Sequence, residues 1–205
     1  MLHITEYYNT TIIDNDIEKI IIDKLVSPLD NLPPIVHKIT IKKSINIYKR
    51  QNKIPYNCEL IIENTIIDRI SVFNNKEDYL DITILDLSDN KITSIPEFIW
   101  SLVKLQKLNL SYNKITSIPN SIYSLIDLKI LCLDYNQITS IPESISSLIN
   151  LQVLNLHSNQ ITSIPESICL LVNLQYLDLN NNQITSIPKS ISSLINLKIL
   201  YLSYN

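Results

Sequence analysis

The sequence predicts an α/β protein: a right-handed solenoid with a parallel β-sheet on its concave face and short helical or 3₁₀ segments on its convex face. The first observation is a six-residue phrase that recurs with starts at 85, 108, 131, 154, 177 and 200, a constant period of 23 residues. The second is the phrase Ile-Thr-Ser-Ile-Pro, which follows each of the five complete copies, first at 92–96. Such a period is the signature of stacked repeats, which bury a continuous core that one repeat cannot form alone.

Each repeat begins with a pattern typical of a short strand. Leu85 and Leu87 alternate with polar residues, as expected for a strand with one buried face. Asn90 ends this pattern, and Ile92 and Ile95 continue the apolar core beyond it. Pairing the same strand of successive repeats gives the predicted parallel sheet.

The second half of each repeat predicts the return segment on the convex side. Pro96 has no backbone N–H to donate to a strand ladder, so extended pairing is expected to end there. Ile99, Leu102 and Leu105 then follow at intervals of three. This spacing fits a short helix or 3₁₀ segment that packs one face inward.

Together these motifs resemble the leucine-rich repeat family, whose repeats are about 20–29 residues long. The resemblance implies that Asn90 and its equivalents point inward, where each amide bonds to the backbone of neighbouring turns and forms a ladder. It is strongest to intracellular scaffold-type members, which carry Ile-Pro or Leu-Pro units and bind other proteins. The Ile-Pro units also resemble repeat proteins of amoebae and large DNA viruses.

The repeats divide the chain into three predicted segments. These are an N-terminal cap with a short helix (1–32), divergent repeats (33–84), and five full repeats with a partial sixth (85–205). The helix is expected within 14–25, where apolar residues share one face. In the divergent segment, strands are expected to begin at Ile39 and Leu60, because the alternating pattern persists there in weaker form.

The concave face is the predicted partner-binding surface. Repeat positions are counted with Leu85 as position one, and positions two, four, five and twenty-three are expected on this face. These positions vary between repeats, while the core positions do not. Tyrosine, which is frequent among them, is a favoured anchor at interfaces; the alternative is neutral variation on an exposed strand face. The predicted binding residues are Asp86, Asp89, Lys107, Tyr112, Asp134, Tyr135, His157, Tyr176, Asp178 and Tyr201.

The predicted function is a non-catalytic scaffold for protein–protein interaction. The alternative is a substrate-recognition subunit of a larger enzyme complex, such as a ubiquitin ligase, in which 1–32 docks an adaptor. A stand-alone enzyme is not expected, because a chain without glycine cannot carry a phosphate-cradling loop or a dinucleotide fingerprint. His157 and Cys132 occupy different repeat positions, and the three cysteines lack metal-ligand spacing. We therefore expect no catalytic residue, cofactor or metal.

Charge and hydropathy narrow the class of partner. The formal charge of −3 argues against a dedicated nucleic-acid binder, so we expect a protein partner. The chain shows no leader pattern at its start and no run of eighteen apolar residues. We therefore expect an intracellular, cytoplasmic protein without a membrane span.

The sequence contains a basic segment before the regular repeats. Residues 38–53 contain six basic side chains and no carboxylate. They could bind an acidic protein, lipid headgroups or RNA, and the favoured interpretation is a solvated edge strand protected by lysines.

The repeat that begins at Leu200 lacks its convex half. We expect this end to fray or to pair with a second copy in a tail-to-tail homodimer.

Overall fold

The computed structural model describes residues 82–205 and four shorter segments, 2–4, 19–22, 38–41 and 59–62. Within these residues ten strands form one parallel sheet, and strands adjacent in sequence are adjacent in space. The strands are β1 (Leu2–Ile4), β2 (Lys19–Ile22), β3 (Lys38–Ile41), β4 (Glu59–Ile62), β5 (Ile84–Asp86), β6 (Lys107–Asn109), β7 (Ile130–Cys132), β8 (Val153–Asn155), β9 (Tyr176–Asp178) and β10 (Ile199–Tyr201). The predicted solenoid is confirmed.

The register of the sheet turns each repeat position into a straight row. Leu85 on β5 pairs with Leu108 on β6, which pairs with Leu131 on β7, and the offset of 23 residues continues to β10. Residues that share a repeat position therefore lie side by side across the strands, about 4.8 Å apart.

Five 3₁₀ helices form the convex side of the described repeats, as the spacing of three predicts. They are η1 (Glu97–Ser101), η2 (Asn120–Ser124), η3 (Glu143–Ser147), η4 (Glu166–Leu170) and η5 (Lys189–Ser193). In η1 the N–H of Ile99 donates to the carbonyl of Pro96 at 3.2 Å, and the N–H of Leu102 donates to Ile99 at 3.0 Å. Each helix begins directly after a proline, whose fixed φ suits the extended residue before the turn.

The core lies between the sheet and the 3₁₀ helices, inside each turn of the solenoid, which we call a coil. Leu85 and Leu87 from the strand, and Ile99 and Leu102 from the convex side, are all fully buried. Their equivalents in the next three repeats are buried to the same extent, so apolar rows pack without interruption from coil to coil.

Two expectations for the N-terminal part are corrected. The helix expected within 14–25 is wrong at 19–22, because these residues form β2 and pair with β1 and β3. Three consecutive isoleucines favour a strand, since β-branched side chains pack well on a pleated sheet. The edge-strand interpretation of the basic segment is also wrong at 38–41, because β3 pairs on both sides.

Other expectations for this part stand differently. The strands expected at Ile39 and Leu60 are confirmed as β3 and β4. Most of the basic segment, 42–53, lies outside the described residues, and the division at 32 and 84 stays a prediction. The tail-to-tail homodimer also stays a prediction.

Candidate protein-binding surface

A buried asparagine ladder holds the strands of the concave sheet in register. Asn113 Nδ2 donates to the carbonyls of Leu87 and Leu110, both at 2.9 Å, and its Oδ1 accepts the N–H of Ile92 at 2.9 Å and that of Asn90 at 3.1 Å. One carboxamide therefore joins its own repeat to the preceding one. Equivalent bonds are made by Asn136, Asn159, Asn182 and Asn205. The ladder that the resemblance implies is confirmed.

Repeat position five, three residues after the end of each strand from β5 to β10, has a left-handed backbone. A non-glycine residue in this conformation costs roughly 1–2 kcal/mol, and asparagine and aspartate tolerate it better than bulky residues do. Because the solenoid repeats the same turn, every residue at this position adopts it. The φ values are 55° at Asp89, 56° at Tyr112, 54° at Tyr135, 53° at Ser158, 53° at Asn181 and 59° at Tyr204.

Three neighbouring repeats form what we call the aromatic cluster: Tyr112, Tyr135, His157 and Ser158. The rings of Tyr112 and Tyr135 stack with centroids 4.4 Å apart and planes at 10°. The His157 ring meets Tyr135 edge-on at 5.1 Å and 75°. His157 Nε2 lies 3.3 Å from Tyr135 Oη and 3.1 Å from Ser158 Oγ. Both tyrosines are exposed, so the cluster offers an apolar ring surface with a polar edge.

A second aromatic pair extends this surface across β9 and β10. Tyr176 and Tyr201 meet edge-on with centroids 5.8 Å apart at 80°. Tyr176 Oη donates to Asp178 Oδ2 at 3.1 Å. Partial burial, and then the hydrogen bond to Asp178 and its charge, raise the pKa of Tyr176 to about 12. The phenol is therefore a neutral donor at physiological pH, and Asp178 also lies 4.0 Å from His157 Nδ1.

A network of polar side chains runs across the strands beside the aromatic cluster. Asn109 Nδ2 donates to Asp86 Oδ2 at 3.0 Å, and Ser111 Oγ lies 2.7 Å from Asn109 Oδ1 and 2.6 Å from Asp134 Oδ1. Asn155 Nδ2 donates to the same Asp134 oxygen at 2.9 Å. We call these five side chains the concave polar network; their partners are mainly one another, which fixes their rotamers.

The structure places the ten predicted residues at three depths. Asp134 and Asp178 are buried. The Asp134 carboxylate accepts hydrogen bonds from the two neighbouring repeats, and the Asp178 carboxylate accepts one from Tyr176 on its own strand. The half-buried residues are Asp86, Lys107, His157 and Tyr176. The exposed residues are Asp89, Tyr112, Tyr135 and Tyr201. Six of the ten come together around the two aromatic groups: Tyr112, Tyr135, His157, Tyr176, Asp178 and Tyr201.

Ser158, Asn109 and Asn155 stand at predicted concave positions but are not among the ten predicted binding residues. All three are short polar residues in a chain that is rich in them, so residue type did not select them. Ser158 shares position five with Tyr112 and Tyr135, and the structure places it in the aromatic cluster.

A serine, a histidine and an aspartate of this surface lie in the same order as in the catalytic triad of a hydrolase. Ser158 Oγ is 3.1 Å from His157 Nε2, and His157 Nδ1 is 4.0 Å from Asp178 Oδ1. Catalysis would also need backbone donors for an oxyanion. The N–H of Ser158 instead donates to the carbonyl of Asn180 at 2.9 Å as part of the repeat backbone. The Ser158 N–H is therefore already bonded and is not directed at a position that an oxyanion could occupy.

The other candidate nucleophile on this face is Cys132. Burial, and then the charge of Asp134, raise the pKa of the Cys132 thiol to about 11, so it is protonated near neutral pH. In the part of the chain that the structure describes, no group of three or more His, Cys, Asp or Glu side chains could hold a metal ion. None of the helices in that part is long and apolar enough to cross a membrane.

Comparison with known proteins identifies the family. The family model described as leucine rich repeat matches the chain four times, in overlapping stretches, at residues 81–138, 103–161, 126–184 and 149–205. The chain belongs to the leucine-rich repeat family. This fold generally mediates contact with other proteins rather than catalysis. No curated protein matches the chain closely enough to count as a relative.

Solved structures of leucine-rich repeat proteins resemble the chain. A leucine-rich repeat protein of Leptospira interrogans is 28% identical with a TM-score of 0.63, over 89% of this chain and 43% of that one. The ectodomain of the receptor kinase SOBIR1 from Arabidopsis thaliana is 33% identical with a TM-score of 0.55, over 60% of this chain and 71% of that one.

A third structure shares the fold alone. The ectodomain of the Arabidopsis thaliana receptor kinase GASSHO1/SCHENGEN3, in complex with CASPARIAN STRIP INTEGRITY FACTOR 2, is 24% identical with a TM-score of 0.66, over 93% of this chain and 24% of that one. This chain therefore spans less than half the length of the Leptospira protein and of this ectodomain.

Proposed function

We propose that this leucine-rich repeat protein is a non-catalytic scaffold that binds a protein partner through its concave face, at the aromatic cluster. The observation that carries the proposal is the pair Tyr112 and Tyr135. Both are exposed and stacked on each other, and both have a left-handed backbone. Exposed aromatic side chains kept in an unfavourable conformation support a role in binding, since stability alone would favour asparagine, as at Asn181.

The surroundings of the pair support the same role. His157 packs edge-on against Tyr135 and lies within hydrogen-bond distance of its hydroxyl, and the concave polar network joins side chains on the neighbouring strands. Rigid aromatic anchors lose little conformational entropy when a partner binds, so more of the contact energy appears as affinity.

The test uses a double variant that the fold tolerates by design. Tyr112→Ser with Tyr135→Ser introduces the residue that Ser158 already provides at position five. Affinity purification with the intact chain identifies a partner, and calorimetry with the purified partner measures its affinity for each variant. We expect the double variant to bind at least about 30-fold more weakly, the effect of losing a tyrosine hot spot of about 2 kcal/mol.

The matched control is Tyr123→Ser, which removes an equally exposed tyrosine from η2 on the convex side. Its affinity should stay within a factor of about two of the wild type, the range of a residue outside an interface. Circular dichroism and the unfolding midpoint establish that both variants are folded. Full affinity in a folded double variant would place the binding site elsewhere.

A further inference from the structure

The convex side carries an aliphatic residue at the same position in every full repeat, and each copy is exposed. This is repeat position nineteen, next to a buried leucine at position eighteen. We call these five residues the convex stripe: Val103, 44% exposed; Ile126, 53%; Ile149, 56%; Val172, 45%; and Ile195, 80%. Single exposed aliphatic side chains are common, but an exposed apolar residue repeated at the same position of successive repeats can form a patch of the kind that marks an interaction site.

The stripe is widened in the fourth repeat. Leu170 is 62% exposed and stands where the other four repeats have serine. Leu170 and Val172 line a cleft of about 570 Å³, together with Ser167 and Cys169. Ser167 Oγ is buried there without a hydrogen-bond partner. We call Leu170 with the three neighbouring stripe residues the convex patch: Ile149, Leu170, Val172 and Ile195.

The charge of the cleft indicates the charge of its occupant. Glu143 and Glu166 both line it, both are exposed, and none of its lining residues is basic. Glu166 Oε2 accepts a hydrogen bond from Ser190 Oγ across the adjoining repeats. A partner that covers the apolar patch therefore gains from lysine or arginine beside its apolar residues.

The backbone of the stripe is already occupied, which argues against an added β-strand. The carbonyls of Ile126, Ile149 and Val172 each accept a side-chain amide from the following repeat, at 2.9, 2.8 and 2.7 Å, and the N–H of Val172 donates to Leu170 at 2.9 Å. A strand needs free backbone groups from its neighbour, whereas a helix satisfies its own. The donors are Asn150, Asn173 and Asn196.

We propose that the convex patch and its cleft dock an amphipathic α-helix of a partner protein. The helix places apolar residues at i, i+3 or i+4, and i+7 on the patch, and basic residues along one edge opposite Glu143 and Glu166. The described part of this chain contains no α-helix that a second copy could offer. The site lies on the opposite side of each coil from the aromatic cluster, so the proposal does not depend on the concave one.

The test titrates the full chain with a fluorescein-labelled 14-residue helical peptide of leucine and lysine, followed by fluorescence anisotropy in about 0.15 M salt. Leu170→Ser supplies the residue of the other four repeats and should weaken binding about tenfold, because it removes one large buried aliphatic contact. Glu143→Gln with Glu166→Gln should weaken it about threefold and reduce its salt dependence.

The control is Val103→Ser at the far end of the convex stripe, where affinity should change less than about twofold because the residue is outside the patch. Tyr112→Ser with Tyr135→Ser should also leave peptide binding unchanged, which separates this site from the concave one. Unfolding midpoints establish that every variant is folded.

Three results would overturn the proposal. One is the absence of saturable binding, and another is equal binding by wild type and Leu170→Ser or by a leucine–glutamate peptide, which would indicate non-specific attraction. The third is self-association of the wild type in sedimentation velocity that Leu170→Ser abolishes, because a second copy would then cover the patch.

Discussion

The buried asparagine ladder and the concave polar network both cross the repeats, but they bond to different groups. Asn113 and Asn136 bond to backbone atoms of two successive coils, which are the same in every repeat. Asn109 and Asp134 cross the repeats through bonds to other side chains, which differ from repeat to repeat. The backbone N–H that Asn109 also accepts, from Ser111 at 3.2 Å, belongs to its own repeat. A position whose partner is the backbone must keep its residue, whereas a position whose partner is a side chain can change together with it.

This difference explains where a binding surface can arise on the solenoid. The invariant ladder holds the strands in fixed rows, so the concave side chains can vary without altering the scaffold. A third set of amides, at Asn150, Asn173 and Asn196, also bonds to backbone carbonyls but lies exposed. Water competes for those carbonyls, so the same chemistry contributes less there.

The largest predicted effect is the loss of a ladder amide. Asn136→Ala removes the acceptor for the N–H of Ile115 and the donor to two buried carbonyls. Each buried group left unpaired costs about 1–3 kcal/mol, so the free energy of unfolding should fall by at least about 3 kcal/mol in urea denaturation.

Two matched asparagine variants calibrate that result. Asn109→Ala breaks bonds to side chains on the half-buried concave face and should cost about 1 kcal/mol. Asn173→Ala breaks an exposed bond and should cost about 0.5 kcal/mol or less. Equal losses for Asn136 and Asn109 would contradict the distinction between the ladder and the network.

The next effect concerns the centre of the concave polar network. Asp134→Ala leaves the Asn155 amide without its acceptor and removes one of two acceptors near Ser111 Oγ. We expect the free energy of unfolding to fall by about 1–2 kcal/mol, less than at Asn136 because water can reach part of this face. Asp127→Ala is the control, because this carboxylate is exposed and its backbone is not left-handed. A loss at Asp134 as small as the control's would mean that the network adds nothing to stability.

A smaller effect should appear only at alkaline pH. The pKa of Tyr176 is raised from 10 to about 12, so the folded state favours the neutral phenol. Its contribution to stability is complete below pH 10 and is lost as pH rises from 10 to about 12. The difference in unfolding midpoint between wild type and Tyr176→Phe should shrink across that window. A difference independent of pH up to 12 would contradict the raised pKa of Tyr176.

The smallest predicted effect is a gain in stability. Lys91 is exposed and has φ 60°, while its equivalent Lys114 does not share the left-handed conformation. Lys91→Asn should therefore stabilise the protein by about 0.5 kcal/mol, since asparagine tolerates this region better than lysine. Lys114→Asn, which has no strain to relieve, should leave the unfolding midpoint unchanged. The same change in both variants would remove backbone strain as the explanation.

Most of the solenoid could be predicted because the repeat pattern is redundant. The alternation at Leu85 and Leu87, the interval of three after Pro96 and the ladder asparagines each recur five times or more, so one exception cannot mislead. The N-terminal part offers no such redundancy. There the apolar residues of 14–25 share an apparent helical face, which predicts a helix. The β-branched residues at 20–22 instead belong to β2 of the sheet.

The candidate sites divide in the same way. The convex stripe is visible in the sequence as a column of valine and isoleucine at position nineteen, but only its exposure distinguishes it from the core columns. Asp134 and Asp178 stand at predicted concave positions, yet both are buried, and the pattern of residue types does not predict the side chains that donate hydrogen bonds to them.

The sequence by itself determined the period, the buried columns and the face on which variation collects. The physical reason is that each coil packs on a copy of itself, so a column in the sequence becomes a row in space. Only the tertiary structure decided which side chains in neighbouring rows touch. The stacking of Tyr112 on Tyr135 depends on a left-handed turn at position five and on the close spacing of parallel strands. Both are properties of the folded backbone, which exist only once the repeats have stacked.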